Sequence, residues 1–137
     1  MEQERRRDRS TVRVEAIRKQ LETIAAEGDI EYIALADELG FVIGEAGGGK
    51  FMSPSDVERF RNVLTKFKEL LATHMDLHQV AEASVIRLDD RRLVCRFFEF
   101  GDQELSVLTV TRGKDPSSSL MDRTVTGVIR ILNAYDM

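Results

Sequence analysis

The sequence predicts an α+β (α/β-type) domain of three layers, with amphipathic helices covering both faces of a five-stranded antiparallel sheet in the order α-β-β-α-β-β-β-α. Three observations carry that prediction. The spacing of apolar residues switches along the chain between three-or-four and two, the periods of helix and strand. The strand-like stretches after residue 80 are joined by short polar turns, as antiparallel hairpins require. The length of 137 residues suits one core, and a single cysteine excludes an intramolecular disulfide framework.

The first nine residues carry seven charges and no apolar residue beyond Met1. Such a segment buries no surface, so a disordered arm is expected over 1–9 and the folded domain over 10–137. Val14, Ile17, Leu21 and Ile24 then mark one stripe of a helix that ends near Gly28. Tyr32–Ala36 is a short apolar run, Asp37-Glu38-Leu39-Gly40 a turn, and Phe41–Ala46 a return strand, so residues 31–46 form a β-hairpin. Gly47–Gly49 close it with a loop.

Ser53, Pro54 and Asp56 are a helix start: a hydroxyl cap, proline at the first helical position, and a carboxylate three residues after the cap. Val57, Phe60, Val63, Leu64, Phe67, Leu70, Leu71 and Met75 line one side of the helix that follows. Their arc of about 140° exceeds the roughly 100° needed to cover a core on one side. Three strands come next, Ala83–Leu88, Leu93–Phe100 and Leu105–Thr111, turning at Asp89–Arg91 and Gly101–Gln103. Ser119 and Asp122 are a capping pair for a closing helix with its stripe at Leu120, Val125, Val128, Ile131, Leu132 and Tyr135.

Composition removes several functions. A net charge of −4, from 24 acidic and 20 basic residues, is unsuited to nucleic-acid binding. No apolar stretch is long enough for membrane insertion. The lone cysteine and the lack of a leader-like segment predict a cytoplasmic protein. Fifteen of the basic residues are Arg, the cation suited to planar contacts at protein interfaces.

The local motifs that invite chemistry each lack a necessary part. Gly44 to Lys50 nearly matches a phosphate-binding loop, but Phe51 stands where the Mg²⁺-binding hydroxyl belongs and the helix begins only at Pro54. His74 and His78 are four apart, yet Met75 replaces the glutamate of a zinc-protease motif and no third ligand is evident. Cys95 lies mid-strand and reads as a small buried hydrophobe. No nucleophile–base set converges, so neither a catalytic residue, a metal nor a cofactor is expected and the chain is read as a non-enzyme.

The element order resembles the Roadblock family, named for a light chain of the dynein motor, over about residues 12 to 137. The strand Tyr32–Ala36, the turn Asp37–Gly40, the strand Phe41–Ala46, the central helix from Pro54 and the helix after Gly113 carry the resemblance. The charged start and the Gly47–Gly49 loop with Lys50 depart from it. The resemblance implies a homodimer joined through the central helix and the adjoining edge strand, so that two sheets become one. It further implies a regulatory or scaffolding platform for a Ras-like small GTPase or another Roadblock protein, without a cofactor. The candidate interface is then Phe60, Val63, Phe67, Leu70, His74, Ser84, Ile86 and Arg87, with Arg92 and Arg96 near the same edge. Within the wide stripe, Val63 and Leu70 are expected nearer the partner, and Val57, Leu64 and Leu71 nearer the sheet. The alternative is a profilin-like sensor of a small ligand, which requires a concave apolar site with a few polar groups.

The dismissal of the phosphate loop has a direct check. Isothermal titration is expected to find no ATP or GTP binding by the chain. Binding that the substitution Lys50→Ala abolishes would reinstate the loop as a nucleotide site.

Overall fold

Along the chain run α1 (Glu2–Gly28), β1 (Tyr32–Ala36), β2 (Val42–Gly47), β3 (Glu82–Ile86), β4 (Arg91–Phe100), β5 (Gln103–Arg112) and α2 (Ser118–Tyr135). The computed structural model describes residues 2–37, 42–47 and 82–135, with Arg59, Asn62, Val63, Lys66, Glu69, Leu70 and Thr73 between them, and side chains from Thr11 onward. Those seven intermediate residues are all helical, in the stretch where the central helix is expected. Its expected start at Ser53–Asp56, and Val57, Leu64, Leu71 and Met75, lie outside the described residues.

Helix α1 extends back to Glu2, through the charged first residues. Charge removes burial but not helix propensity. Residues 2–13 contain no Gly or Pro, and the Glu, Gln and Arg that dominate them are good helix formers. The buried stripe is shorter than expected. Ile17, Leu21 and Ile24 are buried, whereas Val14 is 44% exposed, because among the described residues no part of the core lies beyond Ile17. At the other end the Ile30 amide donates to the Ala25 carbonyl at 2.9 Å, and Asp29 takes a left-handed φ of 53°. This is a Schellman closure, with aspartate tolerating the position usually given to glycine.

The sheet order is β2-β1-β5-β4-β3, with every neighbouring pair antiparallel. Directly opposed residues share a face. Ile33, Leu35, Val94, Leu105 and Val107 therefore face one way. They pack against Ile17, Leu21 and Ile24 of α1 and Leu120, Met121, Val128 and Leu132 of α2. Tyr32, Ala34, Leu93, Cys95, Leu108 and Val110 face the other way, and Val63 of the central helix packs on them. The first and last helices thus share one face, as the element order predicts, and among the described residues of the central stretch Val63 packs on the other. Cys95 is buried.

Several boundaries move by one or two residues, β4 and β5 taking in Arg91 and Gln103 from the expected turns, and two of the shifts have a visible local cause. β3 ends at Ile86 rather than Leu88, because the Arg87 amide donates to the Arg91 carbonyl at 2.9 Å and Asp90 turns the chain with a φ of 67°. The cap of α2 is Ser117, whose Oγ accepts from the Leu120 amide at 3.1 Å. Three consecutive serines offer the hydroxyl, and only the one preceding the first helical residue can reach the orphan amides. Tyr135, expected in the stripe, is exposed.

Gly44 of β2 lies beneath α1, where an added Cβ would stand 2.8 Å from Ile17 Cγ2. Gly44→Ala must push helix and strand apart, and urea unfolding is expected to show a loss of about 1–3 kcal/mol. A loss below about 0.5 kcal/mol would contradict this close seating.

Candidate functional site

The two edges of the sheet are built differently. Along β2 the pairing with β1 shifts register between Leu35 and Ala36, and α1 covers Gly44. Glu45 accepts a hydrogen bond from the Tyr32 hydroxyl at 2.5 Å. A register irregularity, a charge and a covering helix are the usual means of closing an edge against further pairing. β3 has none of the first or third. It is five residues in unbroken register with β4, and its outer side has no partner strand among the described residues.

Side chains along β3 alternate. Ala83 and Val85 are half-buried, and Val85 packs on the cluster beneath the central helix. Glu82, Ser84 and Ile86 are exposed on the opposite face, the face of α1 and α2. Ile86 is 65% exposed, Leu88 at the hairpin tip is fully exposed, and Leu70 of the central helix is 56% exposed. Large apolar side chains in water mark places where another surface is expected.

The arginines near this edge are engaged within the chain. Arg87 pairs with Asp89 at 3.2 Å and closes the β3–β4 turn through its amide. Arg92 lies 3.8 Å from Asp115. Arg96 binds Glu82, Asp122 and Ser118. One further group is nearly buried: Glu31 accepts from Arg91 Nε at 3.2 Å and forms an ion pair with Arg112 Nε at 3.1 Å, while Arg91 also reaches Asp89 at 3.4 Å. This cluster joins the start of β1, the end of β5 and the β3–β4 turn, and so holds the hairpin that presents Leu88.

Of the predicted interface residues, Ser84 and Ile86 stand exposed on the open edge strand, and Leu70 is exposed on the central helix. Val63 instead packs on the sheet. Seven residues apart, Val63 and Leu70 lie on nearly the same side of a helix, so what differs is the surface beneath each turn. Arg87 is half-buried and committed to its own turn. Phe60, Phe67 and His74 lie outside the described residues, as do His78 and Lys50. Leu88 was hidden in sequence by its place at the end of an apolar stretch. The pair Asp89-Asp90 after it is the signal that it belongs to the turn.

Among the described residues, two of the concavities open on the helix side. One of about 450 Å³ is lined by Glu27, Asp29, Arg112, Lys114, Asp115 and Ser117 among others. The other, of about 390 Å³, lies between α1 and α2 and includes Gln20, Glu27, Asp122, Arg123 and Arg130. Both are lined mainly by charged and polar side chains, unlike the apolar pockets that hold small ligands. No helix among the described residues is long and apolar enough to cross a membrane.

No family model matches the chain, and no curated protein matches it. Solved structures do match. The gliding protein MglB of Thermus thermophilus superposes with a TM-score of 0.69 at 18% identity, over 89% of this chain and 92% of that one. An MglB in a tetrameric arrangement gives 0.65 at 16% identity over 90% of each chain. The Roadblock/LC7 domain from Streptomyces avermitilis gives 0.56 at 14% identity, over 88% of this chain and 97% of that one. At these identities the likeness speaks to fold. The chain has the Roadblock-like α+β fold.

Removing the charge of Glu31 takes from the buried Arg91 the carboxylate at its Nε. Glu31→Gln is expected to cost about 3 kcal/mol in urea unfolding, the penalty for breaking a buried ion pair from one side. Leu88→Ser, at a fully exposed tip, is expected to change stability by less than about 0.5 kcal/mol.

Proposed function

We propose that this chain is a non-catalytic, dimeric regulatory domain of the Roadblock type that binds a Ras-like small GTPase or an assembly containing one. The single observation that carries the reading is the asymmetry of the sheet edges. β2 is closed by a register shift and by α1, while β3 is regular, unpartnered among the described residues, and flanked by exposed Ile86 and Leu88. Unsatisfied backbone amides and carbonyls on an open edge pair readily with another strand, and a second copy of the same strand supplies antiparallel symmetry. The tetrameric arrangement of an MglB neighbour supports self-association of this fold. The gliding role in the name of the Thermus neighbour supports a place in motility or polarity.

On this reading the globular unit is 10–137, with the charged first nine residues appended to its helix, and the protein works in the cytoplasm without a cofactor. The interface is carried by Ile86, Ser84 and Leu70, together with Phe60, Phe67 and His74, which lie outside the described residues. Val63 serves the sheet, and Arg87 shapes the hairpin. A second reading as a ligand sensor finds no comparable support among the described residues, where charged and polar residues make up most of the lining of two concavities on the helix side.

The test replaces Leu70 and Ile86 together by Glu. Both are exposed in the single chain, so circular dichroism is expected to show a folded protein with unchanged secondary structure, melting cooperatively at a temperature lowered only by the lost association. In a dimer the two charges enter an apolar contact at a cost of several kcal/mol, of order 3, and size-exclusion with light scattering is expected to show a monomer. A panel of Ras-like GTPases loaded with GDP or a GTP analogue is expected to bind the wild type and not the variant. A folded variant that remains dimeric would place the interface elsewhere.

A further inference from the structure

On the face that β3 shares with α1 and α2, the edge strand has no apolar cover among the described residues. Ser84 and Ile86 stand in solvent there. What ties the strand on this face is Arg96 of β4, directly opposite Glu82 in the ladder. Its Nη2 lies 3.1 Å from Glu82 Oε1 and its Nε donates to the same oxygen at 3.2 Å. Its Nη1 donates to Asp122 Oδ1, and Nη2 to Ser118 Oγ at 3.3 Å, both in the opening turns of α2. The Arg96 side chain is only 17% exposed, against 43% for Glu82 and 70% for Asp122.

We infer that this guanidinium is a coupling point, through which the start of α2 sets the position and order of β3. Association through β3 then depends on α2 residues that are not on its free edge. The inference rests on the reading of β3 as an association edge. Its physical basis is preorganisation. A five-residue strand paired on one side frays, and a partner that pairs with a frayed strand must first order it at an entropic cost. A planar fork with its donors fixed by two carboxylates and a hydroxyl holds the strand before the partner arrives. An exposed pair of charges would do little. Arg96 differs in being mostly desolvated and shared among three acceptors.

The experiment uses the full chain with Asp122→Asn, Asp122→Glu, Arg96→Ala, and Arg96→Ala combined with Asp122→Asn. The dimer Kd is read by sedimentation equilibrium and amide exchange of residues 82–86 by mass spectrometry, with melting temperature as the folding control. Asp122→Asn is expected to raise Kd about threefold, the scale of one partly exposed ion pair. Arg96→Ala is expected to raise it about tenfold, equivalent to the loss of about 1.4 kcal/mol. Exchange of 82–86 accelerates in both, exchange of β1 and β5 stays unchanged, and Asp122→Glu restores wild-type behaviour. The double variant is no weaker than Arg96→Ala alone, because Asp122 acts through Arg96.

Unchanged Kd and exchange in Asp122→Asn, or additive effects in the double variant, would overturn the coupling. If Arg96→Ala does not fold, Asp122→Asn and its rescue by Glu decide the matter. A wild type that is monomeric at every concentration rejects the association reading instead. The exchange of 82–86 then decides the coupling alone, upheld if faster in Asp122→Asn and overturned if unchanged.

Discussion

Strands β1 and β5 are buried on both faces, and the rest of the molecule follows from that. All five residues of Tyr32–Ala36 are buried, as is β5 from Leu105 to Thr111. Strands with no water-facing side require a layer of helix above and below. α1 and α2 form one layer together, and the central helix contributes Val63 to the other. Polar residues in these strands are satisfied locally: Thr109 donates to the Val94 carbonyl at 3.3 Å, and Thr111 to the Lys114 carbonyl at 2.6 Å. Ser106 Oγ, between Ala36 and Phe97 in the ladder, is the exception, with no partner among the described residues.

A sheet covered on both faces meets other molecules at its margins. β2 is irregular and lies under α1, which leaves β3 as the margin without such a barrier among the described residues. The ion pairs around it share a pattern: Glu31 with Arg91 and Arg112 at one end of the hairpin, Arg96 with Glu82 and Asp122 along its length. Both sets join the outer hairpin to elements buried in the core. Arginine in this region therefore acts first to hold the edge in shape, and the exposed apolar residues beside it are what an incoming surface would meet.

Much of the fold was legible in sequence because burial on both faces writes itself as a continuous apolar run, and helix faces as a period of about 3.6. Tyr32–Ala36 and the stripe Ile17, Leu21, Ile24 are of this kind. Val14 fits the same stripe yet is exposed, since periodicity tells which side of a helix is apolar and not how far its neighbour extends. The backward reach of α1 to Glu2 has a related reason: charge speaks of burial, whereas helix formation in residues 2–9 asks only for the absence of breakers. Of the site, the exposure of Ser84 and Ile86 was legible from strand alternation at an edge. The commitments of Arg87 and Arg96 were not. Each depends on a partner set by the fold: Asp89 across a turn whose geometry rests on Asp90, and Asp122 in another element 26 residues away.

The claim that joins these observations is that the open edge of β3 is completed by a second copy of the chain. Sedimentation equilibrium of the unmodified protein over a wide range of concentration measures this most directly. The account predicts a species of twice the 15.6 kDa chain mass that dissociates reversibly on dilution. A mass of one chain at every concentration would contradict it.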